Sequence, residues 1–272
     1  MKRVLTAFIM VPVLIIIIGY SPPYVFTILV ATAAILSLEE FFAIMSHCGF
    51  EIYRVWGHLL GVCLILSFHF SPHNQTLSLT VLTLSVFLLL AWNIQKGKDF
   101  QQALPSSAVT TLGLIYVPVS LGLLIALQSS HTIWGEGSRW VFFLLMVVWF
   151  GDTGAYYIGR SLGKHLLAPN LSPKKTIEGA WGGLFGSVLG ALLSKKILLP
   201  QASLLHLLLL SGVIGLVSQV GDLSESVLKR AAGIKDSSKI LPGHGGMLDR
   251  IDGVLFGCPI LFVYVRYFLK SA

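Results

Sequence analysis

Charge is what this chain has least of. Asp, Glu, Lys and Arg together make up 11% of its 272 residues, and the carboxylates number only 12. A soluble domain sits nearer a quarter charged, so the composition argues against an ordinary globular fold in water. Cysteine is also scarce. Cys48, Cys63 and Cys258 form an odd set with no CxxC. Two lie within apolar spans and one in a loop, so they read as reduced structural residues. No internal repeat or low-complexity tract appears. "GRSLGKH", ending at His165, looks like a Walker A loop at a glance, but it is one residue short and lacks Ser or Thr after Lys164. No P-loop is present.

What the chain has instead is oil. Hydrophobic residues are 55% of the total, and the mean hydropathy is +0.81. Apolar stretches run close to the roughly 20 residues that cross a bilayer core. Nine are read, at about 4–20, 24–45, 56–71, 77–94, 108–128, 140–159, 179–199, 203–222 and 253–270. The first follows Lys2 and Arg3 as a signal peptide would. It lacks a small-residue cleavage site and is followed by Pro22-Pro23 and another span, so it is kept as a helix. The expected fold is an all-α polytopic membrane protein.

Cation placement gives the orientation. With nine spans, the N-terminus and the even-numbered loops share one side. That side holds 14 of the 19 cations: Lys2, Arg3, Arg54, Lys96, Lys98, Arg160, Lys164, Lys174, Lys175, Lys229, Arg230, Lys235, Lys239 and Arg250. Arg139, Lys195, Lys196, Arg266 and Lys270 fall on the other. The basic side is therefore expected in the cytoplasm. The net charge of +7 belongs mostly to one membrane face, where anionic headgroups and nucleotide phosphates are better partners than nucleic acid.

The two parts of the chain differ. Residues 1–128 are helices joined by short loops, a scaffold whose one chemical feature is Glu39-Glu40, near the cytoplasmic end of the second span. These two carboxylates either snorkel to the interface or line a cavity shared with the site. In residues 129–272 polar residues gather at helix ends and in two loops, 160–178 and 223–252. Within the span 179–199, Gly182, Gly186 and Gly190 stand four apart, a spacing that favours close helix packing over phosphate cradling.

The loop 223–252 concentrates the charge. Eight of the 28 residues 226–253 are charged, five cations and three carboxylates. A charge at bilayer depth costs roughly 2.5–3.5 kcal/mol, so charges flanking a span must pair, meet water or bind something. If the helix over 203–222 continues, Asp222, Glu225, Ser226, Lys229 and Arg230 are related by steps of three or four and form one polar stripe. Asp249 and Asp252 stand three apart at the start of the last span, preceded by "PGHGG", whose Gly245 and Gly246 let backbone N–H groups approach a ligand. Carboxylates on two helix ends beside cations suit a hard-oxygen metal site next to an anion site, the requirement of Mg2+ bound through carboxylates and substrate phosphates. The loop 160–178 adds matching parts: Asp152 and Arg160 at a helix end, then Lys174, Lys175, Thr176 and Glu178, a basic and hydroxyl-bearing run suited to a phosphate-rich ligand. Lys235, Asp236 and Lys239 complete the charged set; Lys235 and Lys239, like Lys174 and Lys175, could instead serve only as a solvated topology signal. His244 is the histidine inside this constellation; it either donates to a phosphate, ligates metal or stabilises the turn. His58, His69, His131 and His206 read as interfacial or core residues.

Ser226-x-Leu228-Lys229-Arg230, Lys235-Asp236 and Leu241-Pro242-x-His244-Gly245-Gly246-Met247-x-Asp249-Arg250-Ile251-Asp252 together resemble the signature of the phosphatidate cytidylyltransferases, or CDP-diacylglycerol synthases. "DTGAYYIGRSLGK" and "SPKKTIEGAWGG" are similar to that family as well, so the likeness covers at least 150–253. It implies an enzyme of the bacterial inner membrane that joins CTP and phosphatidic acid into CDP-diacylglycerol and pyrophosphate. It also implies dependence on Mg2+, admits K+ as a second cation, and implies a homodimer. Its metal-binding aspartates carry over to Asp222 and Asp249; Asp252 and Asp236 are expected, from their placement beside these, to support the ion. Lys229, Arg230 and Arg250 would then neutralise the triphosphate and the lipid phosphate.

Two other readings stand beside this one. A CTP-dependent kinase of a lipid alcohol such as a polyprenol would need a base for a neutral hydroxyl, and only Asp or His244 offers one. An ion-coupled transporter also uses intramembrane charge and glycine-broken helices, but here the charges gather at one face and not at the midplane of most spans.

Overall fold

The computed structural model describes residues 2–96, 100–128, 135–238 and 245–269, with side chains omitted at 2–10, 95, 96 and 100. His244 and Lys239 lie outside the described residues. The order of elements is α1 (Lys2–Tyr20), α2 (Pro23–His47), α3 (Arg54–Phe70), α4 (Thr76–Lys96), α5 (Phe100–Leu114), a π-helical turn (Ile115–Val119), α6 (Ser120–Gln128), α7 (Glu136–Leu162), β1 (Leu166–Ala168), β2 (Ser172–Thr176), α8 (Ile177–Ile197), α9 (Leu204–Ala231), α10 (Leu248–Val263) and a closing π turn (Tyr264–Phe268). Among the described residues seven helices are long and apolar enough to cross a membrane. Two shorter apolar helices, Val11–Tyr20 and Arg54–Phe70, match the first and third expected spans. The chain is a multi-pass, all-α membrane protein.

Local chemistry explains the interruptions. Pro118 lies inside the π turn. Proline has no N–H to give an α-helical bond, and a π turn takes up the mismatch without ending the helix. The run from Gln101 to Gln128 therefore remains one apolar path. In the loop 160–178 the structure adds what hydropathy did not foretell, an antiparallel hairpin of β1 and β2 with Leu166 opposite Thr176.

Two compact units form. One comprises Met1–His131 with Leu228–Arg250; the other comprises Thr132–Val227 with Ile251–Ala272. The first unit has its core on α2, α3, α5 and the π turn, where Phe41, Phe42, Ile44, Leu64, Leu114 and Val117 are fully buried. Each such side chain contributes roughly 1.5–3 kcal/mol relative to leaving it in water, though in lipid the gain comes from packing instead.

The second unit is built on the pairing of α7 with α8, and the glycine spacing is its cause. A Cβ at Gly190 would stand 2.7 Å from the Met146 carbonyl oxygen, and at Gly186 or Gly182 it would strike the Phe150 carbonyl or the Ile158 side chain. The stripe is a packing seam, which lets two backbones approach closely. On the opposite face of α8, Trp181 and Phe185 are exposed.

Candidate active site

In the first unit the site begins where α9 ends. This helix continues past its apolar stretch to Ala231, so Lys229 and Arg230 lie in its last turn, where cations complement the helix dipole. Lys229 is nearly buried and its Nζ lies 2.5 Å from Oδ1 of Asp249 in the first turn of α10. The other oxygen of Asp249 accepts hydrogen bonds from the Gly246 N–H at 3.1 Å and the Ser237 N–H at 3.3 Å, and lies 3.0 Å from the Ser237 hydroxyl. Three donors thus hold one carboxylate, with the Ser237 hydroxyl beside it. Gly245, at φ +82°, takes the chain through a left-handed turn that only glycine adopts without strain. The backbone N–H of Gly246, expected to face a ligand, faces Asp249.

A second carboxylate organises the same loop. Glu40 of α2 is 2% exposed. It accepts hydrogen bonds from the Ser238 hydroxyl at 2.6 Å, the Met247 N–H at 2.9 Å and the Leu248 N–H at 2.8 Å, and it lies 2.9 Å from the Ser237 hydroxyl. Its neighbour Glu39 turns elsewhere, to Arg54 and to His58 Nε2. Of the remaining residues expected here, Arg230, Lys235, Asp236 and Arg250 are exposed.

In the second unit, Lys175 of β2 forms an ion pair with Asp222 of α9, Nζ to Oδ2 at 2.6 Å. Asp252 of α10 accepts from its own Gly253 N–H at 2.7 Å. Ser226 donates to the Asp222 carbonyl, the usual back-bond of a serine within a helix. Thr176 caps α8: its Oγ1 accepts the Gly179 N–H at 3.1 Å. Glu178 fastens the hairpin, taking the Lys164 and His165 N–H groups at 3.1 and 3.2 Å and His165 Nδ1 at 2.6 Å. Thr176 and Glu178, expected to meet substrate, have these positions in the frame. Lys174 and Asp152 are exposed, and so is Arg160, which donates to the Tyr156 hydroxyl at 3.0 Å.

The donor chemistry fits a hard cation. Asp222 and Asp249 are each paired, within their own units, with a lysine ammonium, the kind of charge that a divalent ion would replace. Among the described residues no three His, Cys, Asp or Glu side chains gather closely enough to enclose a metal. A bound Mg2+ would complete its shell from phosphate oxygens and water, as is usual for that ion.

Sequence reasoning found the lysines and aspartates through their spacing. It did not single out Ser237, Ser238 or His165, and it left the role of Glu40 open. A serine pair after a charged turn carries no distinctive pattern; its meaning lies in the two carboxylates it meets.

Comparison with known proteins places these groups in context. The chain is similar to the phosphatidate cytidylyltransferase of Staphylococcus epidermidis, 37% identical over 187 residues, 69% of each chain. It is 38% identical to that of Staphylococcus saprophyticus over 175 residues, 64% of each. With that of Staphylococcus aureus it shares 35% over 200 residues, 74% of each. The profile described as "Cytidylyltransferase family" matches residues 1–268. With a match across nearly its whole length, and with the charged helix ends in place, the chain belongs to the cytidylyltransferase family.

Proposed function

We infer that this protein transfers the cytidylyl group of CTP to phosphatidic acid, giving CDP-diacylglycerol and pyrophosphate for phospholipid synthesis. The observation that carries the reading is the signature run from Ser226 to Asp252 in a multi-pass member of this family. The relatives' names supply the substrates, and the chemistry of the site agrees with them.

The nucleophile is an oxygen of the lipid phosphomonoester, already anionic at neutral pH. It attacks the α-phosphorus of CTP; the bond from that phosphorus to the bridging oxygen breaks, and pyrophosphate departs with the electron pair. No proton has to be removed, which accounts for a site rich in cations and carboxylates without a dedicated base. Positioning and charge neutralisation supply the catalysis. Lys229, Arg230 and Arg250 are proposed to bind phosphate oxygens, with Lys174, Lys175 and Lys235 gripping the second anion. Asp222 and Asp249 are proposed as metal ligands, with Asp252 in support. When bound, Mg2+ would neutralise triphosphate charge and orient the α-phosphorus.

The bias of cations toward one side supports a site facing the cytoplasm. A K+ requirement and a homodimer are carried by the family resemblance alone. Purified protein incubated with phosphatidic acid, CTP and Mg2+ should yield CDP-diacylglycerol and pyrophosphate in equal amounts. Release of CDP with a phosphorylated lipid alcohol would instead identify a kinase.

A further inference from the structure

We propose that Glu40, in the N-terminal half, is a positioning residue for the reaction: from α2 it holds Ser237, Ser238, Met247 and Leu248 in the arrangement that presents Asp249. The inference rests on the functional reading above and adds to it a residue outside the signature.

The contacts define the role. A carboxylate that is 2% exposed costs several kcal/mol to bury unless its oxygens are hydrogen-bonded. Among the described residues Glu40 meets that requirement from the Ser238 hydroxyl and the Met247 and Leu248 N–H groups, with the Ser237 hydroxyl beside it. Two of the donors are N–H groups at the start of α10, which have no partner within the helix. A negative charge there is also favoured by the helix dipole. Glu40 thus caps α10 from another helix, one position before Asp249.

The Ser237 hydroxyl lies between the two carboxylates, 2.9 Å from Glu40 Oε2 and 3.0 Å from Asp249 Oδ2. Gly246 is enclosed by the same groups; a Cβ there would strike Ser237 Oγ and the Glu40 carboxylate. Packing alone would be satisfied by an apolar side chain. The carboxylate is needed to gather donors from both ends of the loop.

The test uses full-length protein in detergent, assayed for CDP-diacylglycerol across a Mg2+ titration. Glu40→Gln keeps the shape and turns an acceptor toward N–H donors into a donor. The half-saturating Mg2+ concentration should rise and kcat should fall, by about 10- to 100-fold between them. Glu40→Asp should recover part of the loss. Glu39→Gln, next to it on α2 but bonded to Arg54 and His58, should match the wild type in Mg2+ dependence. Limited trypsin digestion should cut faster after Lys235 in Glu40→Gln, independently of any assay.

A Glu40→Gln enzyme with wild-type Mg2+ and CTP dependences overturns the proposal, even if less active enzyme is recovered. Should Glu40→Gln fail to fold, Ser238→Ala decides, since it removes one donor to Glu40 and none to Asp249. It should shift the Mg2+ dependence the same way by about fivefold, the worth of one hydrogen bond, and no shift overturns the proposal. Wild-type protein that makes no CDP-diacylglycerol overturns the underlying function instead.

Discussion

Lys229 and Asp249 form an ion pair of 2.5 Å with side-chain exposures of 13% and 14%. Both side chains are mostly buried, and one of them is a proposed metal ligand. Removing either partner leaves a charge in a poor solvent, which costs about 2–4 kcal/mol, slightly below the fully buried case. Asp249→Asn should therefore abolish turnover and also lower Tm. The double variant Lys229→Met with Asp249→Leu should regain most of the Tm and none of the activity. Thermal melts in detergent beside product assays separate the two effects, and an active double variant would sink the assignment of Asp249.

Lys175 and Asp222 are related differently. Their exposures, 25% and 46%, put the pair in partial contact with solvent, where such bridges contribute at most about 1 kcal/mol. Lys175→Ala should leave Tm within a few degrees of wild type while raising KM for CTP. A large fall in Tm with unchanged KM would make Lys175 a structural residue.

Two glycines near the loop should respond to alanine to very different degrees. Gly246→Ala drives its Cβ into Ser237 and Glu40 and should eliminate activity. Gly233 has φ +68° but open space around it, so Gly233→Ala should cost only about 1 kcal/mol of backbone strain. Size-exclusion profiles and melts distinguish these outcomes.

The α7–α8 seam should tolerate no added atoms at its centre. Gly186→Ala, whose Cβ strikes the Phe150 carbonyl, should reduce folded yield severely. Gly212→Ala meets nothing within 4 Å and should be neutral or mildly stabilising, since alanine is the better helix former. Equal behaviour of the two would refute the seam.

Cytoplasmic facing can be tested by labelling. In a background with Cys48, Cys63 and Cys258 replaced, Lys235→Cys should react with an impermeant maleimide only in inside-out vesicles. Lys196→Cys should react only in right-side-out ones. Labelling of both from one side would overturn the topology.

The membrane helices were legible because length and oiliness alone set them, and α9 beyond residue 222 was legible because its polar residues recur at helical steps. The glycine seam was readable for the same reason. The β1–β2 hairpin left no such trace: its strands are 3 and 5 residues long, and it is pinned by Glu178 and His165 rather than by a pattern of alternation. Glu40 was visible as a carboxylate of uncertain purpose. Its partner Ser237 lies 197 positions away, and no local periodicity encodes so distant a meeting.

That meeting has a consequence for any attempt to dissect the enzyme. Segment 228–250 packs in one unit with 1–131, although every motif that suggests chemistry lies in the C-terminal half. A fragment starting at residue 129 would carry the whole signature but leave its loop without the clasp on α2. The gene cut at that point should fail as a single product, and should work again only when both pieces are made together in the same membrane.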